Sequence, residues 1–183
     1  MSAPEYMLTF IVTRDHRLMR RVNRWSPPKW IRLWMVAATR GGDGWLWYLL
    51  ALTVWLFGGE QGPQAVIACV LAAAAGIAVF VALKRATGRS RPCQIARHCW
   101  STLLPPDRFS FPSGHTITAF AICVPLGYFY PGMQAGLGFI SLSIALSRIL
   151  LGMHFLSDVV AGALIGSILG YASYAAFIVN WPA

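Results

Sequence analysis

From Gln64 to Leu83 the chain runs for twenty residues without one charged side chain. Hydrocarbon offers no partner for backbone N–H and C=O groups, so a stretch of this length predicts a membrane-spanning α-helix bonded within itself. Its many alanines suit close packing against other helices. Four more apolar runs follow the same logic: Gly44–Gly59, Ser113–Tyr130, Gln134–Leu151 and Phe155–Val179. The first is barely long enough to cross ~30 Å of hydrocarbon at ~1.5 Å per residue. The last carries Gly162, Gly166 and Gly170 at intervals of four, a spacing for close helix approach. Only 11% of residues are charged, against about 25% in soluble domains. The expected fold is therefore all-α: an integral membrane helix bundle with about five transmembrane helices.

Residues 1–43 differ. They interleave Arg14, Arg17, Arg20, Arg21, Arg24, Lys29, Arg32 and Arg40 with Trp25, Trp30 and Trp34. This reads as an interfacial helical segment lying on the bilayer, interrupted at Pro27-Pro28, with a membrane-embedded domain over residues 44–183. Tyr6 to Val12 is too short and badly flanked for a signal peptide, so no cleavable leader is expected. The net charge of +9 comes from basic residues gathered at 14–40 and 84–108, both flanking apolar spans. Membrane lipids or a phosphate-bearing substrate explain that arrangement better than nucleic acid, which is not an expected partner. No Cys or His spacing suits zinc, so neither a metal nor another cofactor is expected. Cys93 and Cys99 share a polar loop and can pair on an oxidising side of the membrane. Cys69 and Cys123 fall in apolar spans and are expected to pack.

With five spans, the long junctions at residues 84–112 and 147–158 lie on the same side as the basic N-terminus. The opposite side holds short turns and the C-terminus. Polar chemistry is thus gathered on one face, in three stretches. Lys84 and, seven residues on, Arg91-Pro92 put two cations beyond a span, a point charge and a planar fork that together suit a phosphate. Pro112-Ser113-Gly114-His115 opens a helix whose N-terminal N–H groups can face an anion. Gly114 would allow close approach, Ser113 an added hydrogen bond and His115 a proton. Ser113 would serve equally as an ordinary N-cap. Ser147-Arg148 leads through Gly152, which can bend the chain back, to His154 and Asp158. If that stretch is helical, His154 and Asp158 share a face at i, i+4, so the carboxylate can fix the imidazole tautomer and free its other nitrogen for attack. The alternative is a packed histidine with a structural aspartate, and Arg148 snorkelling to the interface.

Taken in order, these stretches resemble the three-part signature of the type 2 phosphatidic acid phosphatase superfamily, which includes membrane lipid phosphatases and vanadium haloperoxidases. Lys84, Arg91, Pro92, Pro112, Ser113, Gly114, His115, Ser147, Arg148, His154 and Asp158 match every signature position. The resemblance implies a metal-independent lipid phosphatase. In it, His154 forms a phosphohistidine, Asp158 orients it, and His115 protonates the leaving oxygen. Lys84, Arg91, Ser113, Gly114 and Arg148 hold the phosphoryl oxygens. Positioning and charge stabilisation are what phosphoryl transfer chiefly needs. Undecaprenyl diphosphate ranks first among substrates, then phosphatidylglycerophosphate or phosphatidic acid. A phosphotransferase with the same site, and a non-catalytic lipid-binding protein, are the alternatives.

Asp43, in Gly41-Gly42-Asp43-Gly44, is read first as a helix N-cap and second as part of the site. Arg108 can touch a headgroup or pair with Asp107. The expected location is the bacterial inner membrane, multi-pass. The family implies an extracytoplasmic site, whereas the positive-inside rule would place the basic face in the cytoplasm.

Overall fold

The structure, a computed structural model, describes residues 3–95 and 109–180. Two helices precede the apolar spans, α1 (Ala3–Asn23) and α2 (Lys29–Gly41), separated at Pro27-Pro28. Then come α3 (Trp45–Phe57), α4 (Gly62–Thr87), the one-turn α5 (Pro92–Ile95), α6 (Gly114–Phe129), α7 (Gln134–Leu150) and α8 (Leu156–Asn180). Among the described residues there is no β-strand beyond an isolated Ser90–Phe109 bridge. The protein is an all-α membrane helix bundle. Three helical stretches, 59–87, 131–150 and 156–179, are long and apolar enough to cross a bilayer. The apolar helices α3 and α6 are shorter. At 13 residues, α3 rises only ~20 Å.

The core lies where α4, α6 and α8 meet. Its small buried residues Ala65, Ala68, Ala72, Ala119 and Ala121 let backbones approach. The glycine stripe of α8 faces α6 as its spacing predicts. A Cβ on Gly162 would lie 2.8 Å from the Ser113 carbonyl, one on Gly170 2.8 Å from Pro125, and one on Gly166 would collide with the Ile117 carbonyl. α2 packs on α7, with Trp34 stacked on Phe139 at 5.7 Å and Met35 buried against Leu151 and Met153.

The turns divide between the two ends of the bundle. The α3–α4 and α6–α7 turns lie at one end. The other end gathers the end of α2, the loop after α4, the start of α6 and the α7–α8 junction. Among the described residues no disulfide joins Cys69, Cys93 or Cys123. Cys99, Asp107 and Arg108 lie outside the described residues, so the expected Cys93–Cys99 pairing and the Arg108 contacts do too.

Candidate active site

The α7–α8 junction turns sharply rather than continuing as helix. Gly152 adopts φ +68°, a left-handed conformation open to glycine at little cost. The N–H groups of Met153 and His154 then both donate to the Arg148 carbonyl at 3.0 Å. The bend expected at Gly152 is present, and it returns His154 to the cavity that Arg148 also lines. The helical i, i+4 pairing of His154 with Asp158 is not present, because α8 begins only at Leu156.

That changes what fixes the imidazole. His154 Nδ1 lies 2.6 Å from the Ser110 carbonyl and 3.7 Å from Asp158 Oδ2. A carbonyl only accepts, so Nδ1 carries the hydrogen and Nε2 keeps its lone pair. At 3.7 Å the carboxylate acts through charge rather than a hydrogen bond. Asp158, fully buried, instead accepts the Phe155 N–H at 2.8 Å, as the third residue of a helix does in a capping box.

Arg91, only 2% exposed, donates from Nη1 to the Met153 carbonyl at 2.8 Å and faces His154 Nε2 at 3.1 Å. The same lone pair is the ring's one nucleophilic position, and it faces the cavity beside a buried cation. Burial is the largest influence on the His154 pKa and lowers it; the Asp158 carboxylate pulls the other way, and Arg148 and Arg91 lower it further, to about 3. The ring is therefore neutral at physiological pH, as a nucleophile requires.

Around His154 the cavity is lined by Lys84, Arg91, Gly114, His115, Arg148 and Asp43. Lys84 sits over the Phe80 ring at 4.3 Å, and that ring lies where a Cβ on Gly114 would be, at 3.0 Å. Gly114 thus lets Phe80 pass beneath the first turn of α6. Arg148 donates to the Thr39 hydroxyl of α2. Ser113 and Asp158 stand behind the cavity wall. The Ser113 hydroxyl accepts from Thr116 at 2.9 Å, which leaves its own hydrogen for another acceptor.

Asp43 is not a helix cap. Gly44 occupies the N-cap of α3 with no side-chain cap bond, and Asp43 Oδ1 accepts from His115 Nε2 at 2.8 Å. Sequence reasoning missed Thr39, Ser110, Arg89 and Asp15 around this site. Asp15 carried a signal, as an acid set between Arg14 and Arg17 in an arginine-rich helix. Ser110 carried none, since its backbone does the work.

A cradle of three cations, Lys84, Arg91 and Arg148, around a neutral histidine inside a helix bundle is suited to an anionic group presented at a membrane. The chain belongs to the PAP2 superfamily, whose family model matches residues 64–182. It is 29% identical to the undecaprenyl-diphosphatase BcrC of Bacillus subtilis over 124 residues, 67% of this chain and 63% of that protein. It is 30% identical to a lipid A 1-phosphatase of Rhizobium johnstonii over 89 residues, 46% of this chain and 36% of that one. The chain thus spans less than two thirds of the length of these relatives. Among solved structures, Aquifex aeolicus LpxE superposes with a TM-score of 0.69 at 27% identity, covering 87% of this chain and 93% of its own. A PAP2-type phosphatidylglycerolphosphate phosphatase from Bacillus subtilis shares the fold, with a TM-score of 0.73 at 20% identity over 99% of this chain and 98% of its own.

Proposed function

We propose that the protein is a lipid phosphatase that hydrolyses a phosphate monoester or diphosphate through a phosphohistidine, with undecaprenyl diphosphate its first-ranked substrate. One observation carries this reading. A single cavity of ≈ 650 Å³ holds Lys84, Arg91, Arg148, His115 and His154 at one end. Its walls then descend along Trp47, Leu50 and Val54 of α3 and from Phe80 to Val66 of α4. From Lys84 to Val66 the helix rise is ~27 Å. A charged headgroup fits the polar end and an apolar tail the trough. The likeness to an undecaprenyl-diphosphatase over two thirds of the chain supports the ranking.

In the reaction, Nε2 of His154 attacks phosphorus, and the bond from phosphorus to the leaving oxygen breaks. His115 gives that oxygen its proton. Water then attacks the phosphohistidine, His115 takes the water proton, and the N–P bond breaks to release phosphate. Three cations stabilise the charge on the equatorial oxygens. Nδ1 stays protonated throughout against the Ser110 carbonyl, so the phosphorylated ring is a cation with Asp158 behind it. The face on which this occurs is proposed to be extracytoplasmic.

The test is phosphate release by detergent-solubilised protein, wild type beside His154→Ala, on a panel of lipid phosphates in EDTA. Wild type alone should turn over, and EDTA should not inhibit. Turnover by His154→Ala would remove the phosphohistidine, and magnesium-dependent turnover would remove the metal-free chemistry. Phosphate appearing on an added lipid acceptor instead of in solution would make the protein a phosphotransferase.

A further inference from the structure

Two residues beyond the end of α4 at Thr87 lies a cation outside the signature positions. Arg89 is one of the most heavily paired groups in the protein. Its Nη1 donates to Asp158 Oδ1 at 2.6 Å and to the Ser157 hydroxyl at 2.7 Å. Its Nη2 donates to Asp15 Oδ2 at 2.7 Å. Its guanidinium lies over the Phe155 ring at 4.3 Å. Asp15 comes from α1, in the segment expected to be peripheral, yet it is 4% exposed. Its other oxygen, Oδ1, accepts the Ser157 N–H at 3.1 Å, and the Ser157 hydroxyl donates to Oδ2 beside Arg89. The neighbouring His16 stacks on Phe155 at 5.4 Å.

Two buried carboxylates thus share one guanidinium. Each would be costly to bury alone. The bridge also fixes geometry. One Asp158 oxygen is held by Arg89 and the other by the Phe155 N–H, so the carboxylate stays 3.7 Å from His154 Nδ1. It cannot advance to displace the Ser110 carbonyl and take the Nδ1 hydrogen. We propose that Arg89 is a positioning residue for phosphoryl transfer, holding Asp158 as the counter-charge behind His154, and that Asp15 of α1 latches Arg89 in place.

This inference rests on the phosphohistidine reading above. The ring is neutral before attack and cationic once Nε2 is bonded to phosphorus, so Asp158 stabilises the transition state more than the ground state. Arg89 does not line the cavity, so its loss acts on that difference and not on substrate binding. Misplacing a group near the chemistry by about 1 Å can cost on the order of 10²-fold.

The experiment compares wild type, Arg89→Lys, Arg89→Gln, Asp15→Asn and the Asp15→Asn/Arg89→Gln double variant in detergent. Two readouts are taken: kcat and KM on a turned-over lipid phosphate, and the affinity for vanadate, which adopts the five-coordinate geometry of the transferring phosphoryl group. Arg89→Gln should lower kcat by about 10²-fold, with KM held within about twofold and vanadate binding weakened in proportion. Inorganic phosphate, a ground-state mimic, should bind as to wild type. Arg89→Lys should recover part of the loss. Asp15→Asn should give a smaller loss, and the double variant should be no worse than Arg89→Gln, because one chain of contacts is broken once.

Wild-type kcat in Arg89→Gln overturns the proposal. So does a raised KM with unchanged kcat, which would make Arg89 a substrate ligand. Additive losses would overturn the latch. If Arg89→Gln does not yield monodisperse protein, Arg89→Lys and Asp15→Asn decide: unchanged kcat and vanadate affinity in both sinks it. If vanadate binding needs His154 but no lipid tried is turned over, the substrate assignment is in error and vanadate affinity alone decides Arg89: weakened in Arg89→Gln it supports the proposal, unchanged it overturns it. Vanadate binding indifferent to His154 would overturn both readings.

Discussion

A histidine buried neutral should make this fold sensitive to acid, and the size of the effect follows from its surroundings. His154 is 3% exposed, and burial first, then the nearby Arg148 and Arg91 against the pull of Asp158, brings its pKa from 6.5 to about 3. Between those values the unfolded chain binds a proton that the folded chain refuses. Stability is therefore fully present above about pH 6.5 and is lost as pH falls toward 3. Each pH unit in that window removes about 1.4 kcal/mol, so at pH 5 the loss is about 2 kcal/mol. Unfolding in SDS, followed by the fluorescence of the eight tryptophans, would be measured from pH 7.5 to 4.5 for wild type and His154→Gln. Glutamine does not titrate, and every other ionisable group is common to both proteins. The difference between them should grow by about 2 kcal/mol between pH 7 and pH 5, in favour of the variant. A difference constant with pH would refute the reasoning, because His154 would then titrate alike in both states.

Asp43→Asn should reduce kcat/KM on lipid substrates by on the order of 10², the lower range for general acid–base catalysis, because His115 loses its carboxylate partner. The loss should shrink on an aryl phosphate whose leaving group needs no proton; an equal loss on both would make Asp43 structural. Gly166→Ala would press a methyl on the Ile117 carbonyl and should cost about 1–3 kcal/mol in the same unfolding assay. Full stability in that variant would show that α6 and α8 do not approach so closely.

The bundle was legible because lipid allows so few solutions: long uncharged runs, a glycine stripe and polar junctions each have one physical meaning. The cavity residues were legible for a related reason, since Lys84, Arg91, His115 and Arg148 are charged or titratable groups at span ends where they need a purpose. What failed was inference about local geometry. The i, i+4 argument for His154 and Asp158 assumed a helix through a left-handed glycine, and the capping argument for Asp43 could not see a histidine 72 residues away. The Ser110 carbonyl could not be anticipated at all, because a backbone oxygen leaves no trace in residue type. Asp15 and Arg89 were visible as charges but matched to no partner, since their pairing is set by how α1 lies on α8.

The brevity of α3 has a consequence for the lipid itself. Beside a wall of ~20 Å, the surrounding ~30 Å of hydrocarbon must dip or the wall must end below its surface. Either way the trough has a low sill, and on the proposed lipid phosphatase reading a neighbouring lipid would tip its headgroup over it toward His154 without leaving its layer. Pulling ten tail carbons into water would cost about 8 kcal/mol. On that reading a shortened helix would remove that toll from the approach to the cavity, leaving the encounter to lateral diffusion in the membrane.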